Sequence, residues 1–388
     1  MDISIVIVSY KCLMVLRLML ASLRRAMEGL TCEVFVVDNA SNDGTVEYLE
    51  EHYPWLTLIA NEENVGFPRA NNMALERCTG NVILVLNPDT VVPKHFLHGI
   101  VAHFAANADA GAVGVQMTDG TGRYLPESKR GYTDLRTSFF KLTSLWHLRP
   151  KSSIFNNYYL GQYDKDTVCF APSLSGACMA FKRNLMQRVG MFDTAYFMYC
   201  EDNDMSYRMN NASSGNIYRG DLHIIHFKGA CTPPRMQNIR YFYKSMLLFA
   251  RKYEYPKHSA TTNAVVYCGI KLAFAIASVR CLITRIFQSN YVFSLPKSIL
   301  LITDNPLCSE WFSSCINKLN RRVHTEPTSS LPNITSDDAD MIIFDVEGDI
   351  DAAIAAMQRL HGHMTFGFCS IADKTALAYA GNMCRPLF

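Results

Sequence analysis

The chain has 388 residues, 49% of them hydrophobic and 19% charged, with a formal net charge of +2. That length suits two domains, and that balance excludes a disordered chain and a strongly basic nucleic-acid binder. The 13 cysteines are scattered without a Cys-x-x-Cys pair, which argues against a disulfide framework or zinc knot and for a reducing cytoplasm. No secretory leader is expected, because the apolar run at 3–8 is short and lacks a preceding basic segment.

Strand and helix alternate over the first 120 residues. Stretches 3–9 and 33–38 are β-branched runs that end in polar residues, as buried parallel strands do, and 56–61, 82–87 and 112–117 continue the series. Helices are expected after Ser41-Asn42, after Gly66 with Pro68 in the first turn, and from Pro93. Ligands of such sheets bind beyond the carboxyl ends of the strands, where the polar clusters fall. Residues 118–170 break the rhythm as loops and short helices, a strand returns at 176–183, a helix follows at 201–210, and 217–226 is extended. The stretch 264–279 is apolar, interrupted by Lys271 and flanked by Arg280 and Arg285. It suits a helix lying on an anionic bilayer surface and, equally, a packing helix between two domains. Strands at 299–304, 341–345 and 364–368 begin a second α/β pattern. The expected division is 1–255, a linker at 256–296, and a small α/β unit at 297–388.

Several clusters carry chemistry. Asp38-Asn39 ends the second strand, where a carboxylate can accept from a base or ribose, although Asn39 and Ser41 also suit a helix cap. Asn64-Val65-Gly66-Phe67, followed by Asn71-Asn72, offers a close backbone approach and a helix start. In Asn87-Pro88-Asp89-Thr90, Pro88 fixes the turn that projects Asp89, a hard ligand for Mg²⁺ or Mn²⁺. Glu201, Asp202 and Asp204 crowd one helix start beside Tyr196, Phe197 and Tyr199. A helix dipole favours such acids, and their mutual repulsion raises the proton affinity of one of them. His226 closes an extended stretch before a glycine turn, where a lone His is either a satisfied structural residue or completes a metal site with Asp89; His223 reads as structural.

In order and spacing, the stretches IVIVSY, VVDNAS, NVGFPRANN, VLNPDT, SGACMAFKR, FDTAYFMYCEDNDMSYRM and IIHFKGA resemble the family 2 glycosyltransferases of GT-A fold, in particular their rhamnosyltransferase-like branch. The resemblance spans residues 3–231 and implies an α/β nucleotide-binding unit with a mostly parallel sheet. It implies that Ser9, Tyr10, Asp38 and Asn39, the loop residues Asn64, Gly66 and Phe67, and Asn71 and Asn87 hold the nucleotide sugar. The divalent metal then falls to Asp89 and His226. The general base is Asp202, with Glu201 or Asp204 as helper. The implied reaction is a single inverting displacement from a dTDP-rhamnose or UDP-sugar type donor. The implied acceptor is a glycan or polyprenyl-diphosphate-linked sugar of surface polysaccharide synthesis, handled at the inner face of the membrane. Tyr132, Arg136, Trp146, Tyr158 and Tyr159 offer stacking faces and charge for the acceptor and, equally, suit packing within an ordered insertion. Two departures stand out: only the last carboxylate of the Asp-x-Asp motif is present, and Phe227-Lys228-Gly229 replaces the usual His-Gly-Gly-Ser-like run, with Lys228 a candidate phosphate contact. The rival readings are a non-catalytic sugar-nucleotide or glycan-binding protein and a nucleotidyltransferase, the latter disfavoured by the glycine-free turn after the first strand. Asp304, Asp345 and Glu347 give the second unit a receiver-like look, with interaction or scaffolding as its expected role.

Overall fold

A computed structural model describes residues 1–231, 235–287, 296–380 and 383–387. Residues 288–295 of the expected linker lie outside the described residues. The first sheet is built from β1 (Ile3–Ser9), β2 (Cys32–Asp38), β3 (Thr57–Ala60), β4 (Val82–Leu86), β5 (Thr90–Val91) and β6 (Val113–Thr118), joined by β8 (Val168–Phe170), β10 (Cys178–Lys182) and β11 (Ile217–His226). A separate two-stranded ribbon pairs β7 (Lys129–Arg130) with β9 (Ser173–Leu174). The strand order is β3-β2-β1-β4-β10-β6-β11-β5, with β8 on β11. Strands β3, β2, β1 and β4 are parallel, while β10 runs antiparallel between β4 and β6.

The helices are α1 (Leu13–Ala26), α2 (Thr45–His52), α3 (Phe67–Leu75), α4 (Phe96–Ala106), α5 (Leu135–Leu142), α6 (Arg183–Val189), α7 (Glu201–Asn211), α8 (Met236–Phe249) and α9 (Ala260–Phe287). Helix α1 has no counterpart in the sequence reading, although Leu16, Met19, Leu20 and Leu23 line one face at helical spacing and are fully buried. Two cores result, one on each face of the sheet, as buried parallel strands require.

The second sheet joins β12 (Ser298–Ile302), β13 (Arg322–Glu326), β14 (Met341–Asp345), β15 (Thr365–Ser370), β16 (Thr375–Ala380) and β17 (Met383–Pro386), with helices α10 (Pro306–Asn317) and α11 (Ile350–Arg359). Its order is β13-β12-β14-β15-β16-β17, parallel through β15 and antiparallel beyond. One continuous core joins it to the first sheet: Val15 and Leu18 of α1 and Ile225 and Phe227 pack with Phe344, Phe368 and Tyr379. Polar ties reinforce this seam. Tyr53 donates to Asp373 at 2.8 Å, and Arg25 donates to the Gly348 carbonyl at 2.9 Å. Among the described residues one helix, over Ala260–Ile283, is long and apolar enough to cross a membrane.

Candidate active site

Parallel β2, β1 and β4 end side by side. Ser9 is in register with Asp38, and β1 pairs β4 on its other flank, so the turn from Asn87 to Asp89 leaves the sheet beside Ser9. The Asn39 amide donates to the Ser9 carbonyl at 2.9 Å. Asp38 is 2% exposed; its Oδ2 accepts from the Ser41 amide at 3.0 Å, while Oδ1 is buried with no hydrogen-bond partner among the described residues. A buried carboxylate oxygen left this way is costly unless a ligand supplies a donor. Tyr10 stands exposed at the rim.

The Asn64 loop is tied to this edge by Asn39. Asn39 Nδ2 donates to Asn64 Oδ1 at 2.9 Å, and Asn39 Oδ1 accepts from Val65 N at 3.0 Å and from Asn61 Nδ2 at 3.1 Å. Asn39 and Asn64 are thereby committed to holding the loop. Gly66, at φ 87°, lies so close to the Phe197 carbonyl that an added Cβ would meet it at 2.7 Å. Phe67 N donates to that same carbonyl at 2.9 Å. Glycine is required here by both backbone and space, and the contact seats the loop on the turn leading into α7. Asn71, fully buried at the start of α3, donates to the Phe67 carbonyl and keeps Oδ1 unpartnered.

Asp89 and His226 are brought together by a short antiparallel pairing in which Thr90 faces His226 and Val91 faces Ile225. The Phe227 amide donates to the Asp89 carbonyl at 2.8 Å. His226 Nε2 stands 3.3 Å from Asp89 Oδ1, and both side chains are nearly buried, 12% and 4% exposed. Asp89 Oδ1 and His226 Nδ1 have no hydrogen-bond partner among the described residues. A carboxylate oxygen and an imidazole nitrogen so placed fit Mg²⁺ or Mn²⁺, whose remaining positions water and diphosphate oxygens would fill. No cluster of three or more His, Cys, Asp or Glu ligands occurs among the described residues, so the pair alone is a half-shell. Behind it Phe227 is fully buried against Phe368 and Tyr379, with ring centroids 4.8 and 5.9 Å away. Tyr379 donates to the Lys228 carbonyl at 3.0 Å. The Lys228 ammonium is paired with Glu127 rather than left for a phosphate.

The acidic start of α7 divides in two. Asp202 turns toward the sheet edge: its Oδ2 accepts from Arg130 Nη2 at 2.6 Å and from Gly176 N at 3.2 Å, and its Oδ1 from Asn203 N at 2.8 Å. One residue on, the Ala177 carbonyl accepts from Asn87 N at 2.9 Å. Asp202 and the Asn87–Asp89 turn therefore flank the same strand end. Arg130, carried by the β7–β9 ribbon, also donates to the Leu174 carbonyl and keeps Nε unpartnered. Glu201 is 6% exposed with Oε2 unpartnered; burial, then the neighbouring Asp202 charge, raises its proton affinity well above the carboxylate range. Asp204 departs from expectation. Fully buried, it accepts from Arg208 at 2.8 Å, Lys252 at 2.6 Å and Tyr253 at 2.7 Å. It anchors α7 to the segment after α8 and takes no part in the site. Tyr199 and Cys200 precede α7 at φ 71° and 64°, a strained pair of left-handed residues of the kind found where a side chain must be aimed.

Beyond Glu201 and Asp202 opens a cavity of about 570 Å³ whose lining includes Arg130, Lys141, Tyr158, Phe242, Met246 and Ile270. Sequence reasoning singled out Tyr158 but missed Arg130, Lys141 and the α8–α9 wall. Arg130 is a basic residue in a stretch of loops, and no local signal pairs it with an acid 72 positions away.

Buried acceptors at the carboxyl edge of the sheet, a carboxylate–imidazole pair and an arginine-held carboxylate form a site suited to a nucleoside diphosphate and a divalent cation. Residues 4–190, just under half of the chain, match the model of glycosyl transferase family 2. The chain is 26% identical over 225 residues, 55% of its length and 72% of the relative's, to N-acetylglucosaminyl-diphospho-decaprenol L-rhamnosyltransferase of Mycobacterium tuberculosis. It is 23% identical over 201 residues, 51% of its length and 15% of the relative's, to the O-antigen biosynthesis protein RfbC of Myxococcus xanthus. Among solved structures, a TarS fragment from S. aureus covers 70% of this chain and 71% of its own at 17% identity and TM-score 0.45. The mannosyltransferase PcManGT from Pyrobaculum calidifontis, in complex with GDP-Man and Mn²⁺, covers 82% and 80% at 17% identity and TM-score 0.44.

Proposed function

We propose that this glycosyltransferase moves a sugar, with inversion, from a nucleoside-diphosphate donor to a hydroxyl of a lipid-linked glycan. The reading is supported by Asp38, Asp89, His226 and Asp202 lying along one sheet edge, where, among the described residues, Asp38 Oδ1 and His226 Nδ1 are buried without a hydrogen-bond partner and Asp89 Oδ1 has only the His226 imidazole beside it. The acceptor class is supported by the M. tuberculosis relative, whose name specifies a diphospho-decaprenol-linked sugar.

In this reading Asp38 Oδ1 accepts from the base or ribose of the donor, and Ser9 and the Asn64 loop close the pocket around it. Asp89 and His226 would hold a divalent cation, whose chemistry is to offset charge on the departing nucleoside diphosphate. Asp202 takes the proton of the attacking hydroxyl, with Arg130 and the Gly176 amide fixing the direction of its carboxylate. Burial raises the proton affinity of Glu201, which disfavours a second negative charge beside the acceptor. The location this implies is the inner face of the cell membrane, where lipid-linked acceptors are met.

The test is a panel of nucleotide sugars incubated with the full chain and Mn²⁺ or Mg²⁺, read for nucleoside diphosphate release with and without a lipid-linked N-acetylglucosamine acceptor. One donor should be turned over, faster with acceptor. A protein that binds donors and releases nothing is a binding module, and the proposal is then wrong.

A further inference from the structure

The cavity beyond the acidic helix start has two unlike ends. Its inner end holds Glu201, Asp202, Arg130 and Lys141, and its walls are apolar side chains of α5, α8 and α9, among them Phe139, Phe242, Val266 and Ile270. At about 570 Å³ it lies in the ~300–1,000 Å³ range of sites that enclose a small molecule. The Lys141 ammonium sits 3.5 Å from the Tyr158 ring centroid and has no carboxylate partner among the described residues. Burial alone raises the Tyr158 hydroxyl, yet Lys141 and Arg130 carry it below its ordinary value, which marks a positive local field at this end. Arg130 adds a buried Nε without a partner.

At the other end the wall is α9, which packs on α8 through Tyr243 and Phe274 and turns its opposite face outward. Val265, Leu272 and Val279 are 72%, 64% and 55% exposed, with Ile276 and Ile283 beside them. The seven-residue spacing places them along one side of the helix. Phe139 of α5, which shares the cavity lining with α9, is also 55% exposed. An exposed stripe of this extent marks a contact with an apolar phase, and it borders the cavity through Val265, Val266 and Gly269.

We propose that this cavity is the slot for the hydrocarbon chain of the acceptor, an isoprenoid diphosphate entering across α9 from a bilayer on which α9 lies. The diphosphate meets Lys141 and Arg130, and the attached sugar hydroxyl reaches Asp202. An apolar tube ending in cations and a carboxylate matches a molecule with an apolar tail, an anionic link and a hydroxyl, in that order. The inference rests on the transferase reading for the hydroxyl's fate and on the cavity alone for the lipid.

Gly269 gives a clean test, because an added Cβ there meets nothing within 4 Å, and replacing a helix-interior glycine favours the helix. Binding of tritiated farnesyl diphosphate to the full chain is measured by equilibrium dialysis for wild type, Gly269→Trp and Val266→Trp, with thermal unfolding to verify folding. Both substitutions fill the slot and should weaken binding by about tenfold or more, and Lys141→Ala should weaken it too. Inorganic diphosphate and dihexanoyl phosphatidylglycerol should compete poorly. No binding by wild type, unchanged binding by both folded tryptophan variants, or equal competition by the phosphatidylglycerol overturns the assignment. Release of nucleoside diphosphate by the wild-type chain is the separate readout on which the transferase reading stands, so the two can fail independently.

Discussion

The two sheets of this protein share a parallel core and end their central strands in carboxylates, yet only one edge is left chemically open. On the second sheet, Asp345 accepts from the Thr303 hydroxyl at 2.7 Å and the Glu347 amide at 3.0 Å. Asp304 accepts from Thr328 N at 2.9 Å, and Glu347 from the Ser370 hydroxyl at 2.8 Å. Each of these carboxylates has donors from its own fold. At the edge of the first sheet, among the described residues, Asp38 Oδ1 and Asn71 Oδ1 of the neighbouring α3 are buried without donors, and Asp89 Oδ1 has only the His226 imidazole beside it. A larger hollow, about 620 Å³, lies beside Asp304 and Asp345. Space alone therefore does not mark the site; unmet hydrogen-bonding capacity in a buried place does.

Asp202→Asn breaks the contrast most sharply. Loss of a general base costs about 10²–10⁴-fold in rate, so transfer should collapse while donor binding, followed by calorimetry, stays near wild type. Phe227→Ala empties a fully buried position between the two sheets and should cost ~3–5 kcal/mol in urea unfolding; a change below ~1 kcal/mol would mean the second sheet does not brace the site. Asp89→Ala should raise the Mn²⁺ concentration giving half-maximal rate by ~10–100-fold or more, since even outer-shell partners of a metal matter that much. Glu201 sharpens the comparison through pH. Burial raises its folded-state pKa above the unfolded value, so the neutral carboxyl contributes stability that is full below the ordinary carboxylate range and is lost as pH climbs through the raised value. Glu201→Gln should flatten that decline in a pH series of unfolding curves. The smallest effect on catalysis belongs to the closed edge: Asp345→Asn should lose ~1–3 kcal/mol of stability from its buried hydrogen bonds and leave the transfer rate unchanged.

Much of the first sheet was legible because buried parallel strands write themselves as short β-branched runs, as in β1, β2 and β4. Gly66 announced a close approach, and Asp89 and His226 announced a pair through their turn signals. What stayed hidden was non-local or directional. The antiparallel insertion of β10, the β16–β17 hairpin and the reach of Arg130 to Asp202 depend on contacts no window contains. The choice between Asp202 and Asp204 was open to helical geometry: two residues turn the side chain about 200°, so one faces the edge and the other the buried side of α7. The aromatic residues Trp146 and Tyr159 pack edge to face on each other with centroids 5.0 Å apart, whereas Tyr158 reaches the cavity.

The seam at Phe227 ties the two halves in time as well as in space. His226 owes its position to a neighbour clasped by Phe368 and Tyr379, residues translated some 140 positions later. A growing chain thus carries its nucleotide pocket long before the imidazole is held firm. Closure of β15 and β16 over that ring completes the packing behind the imidazole that stands beside Asp89.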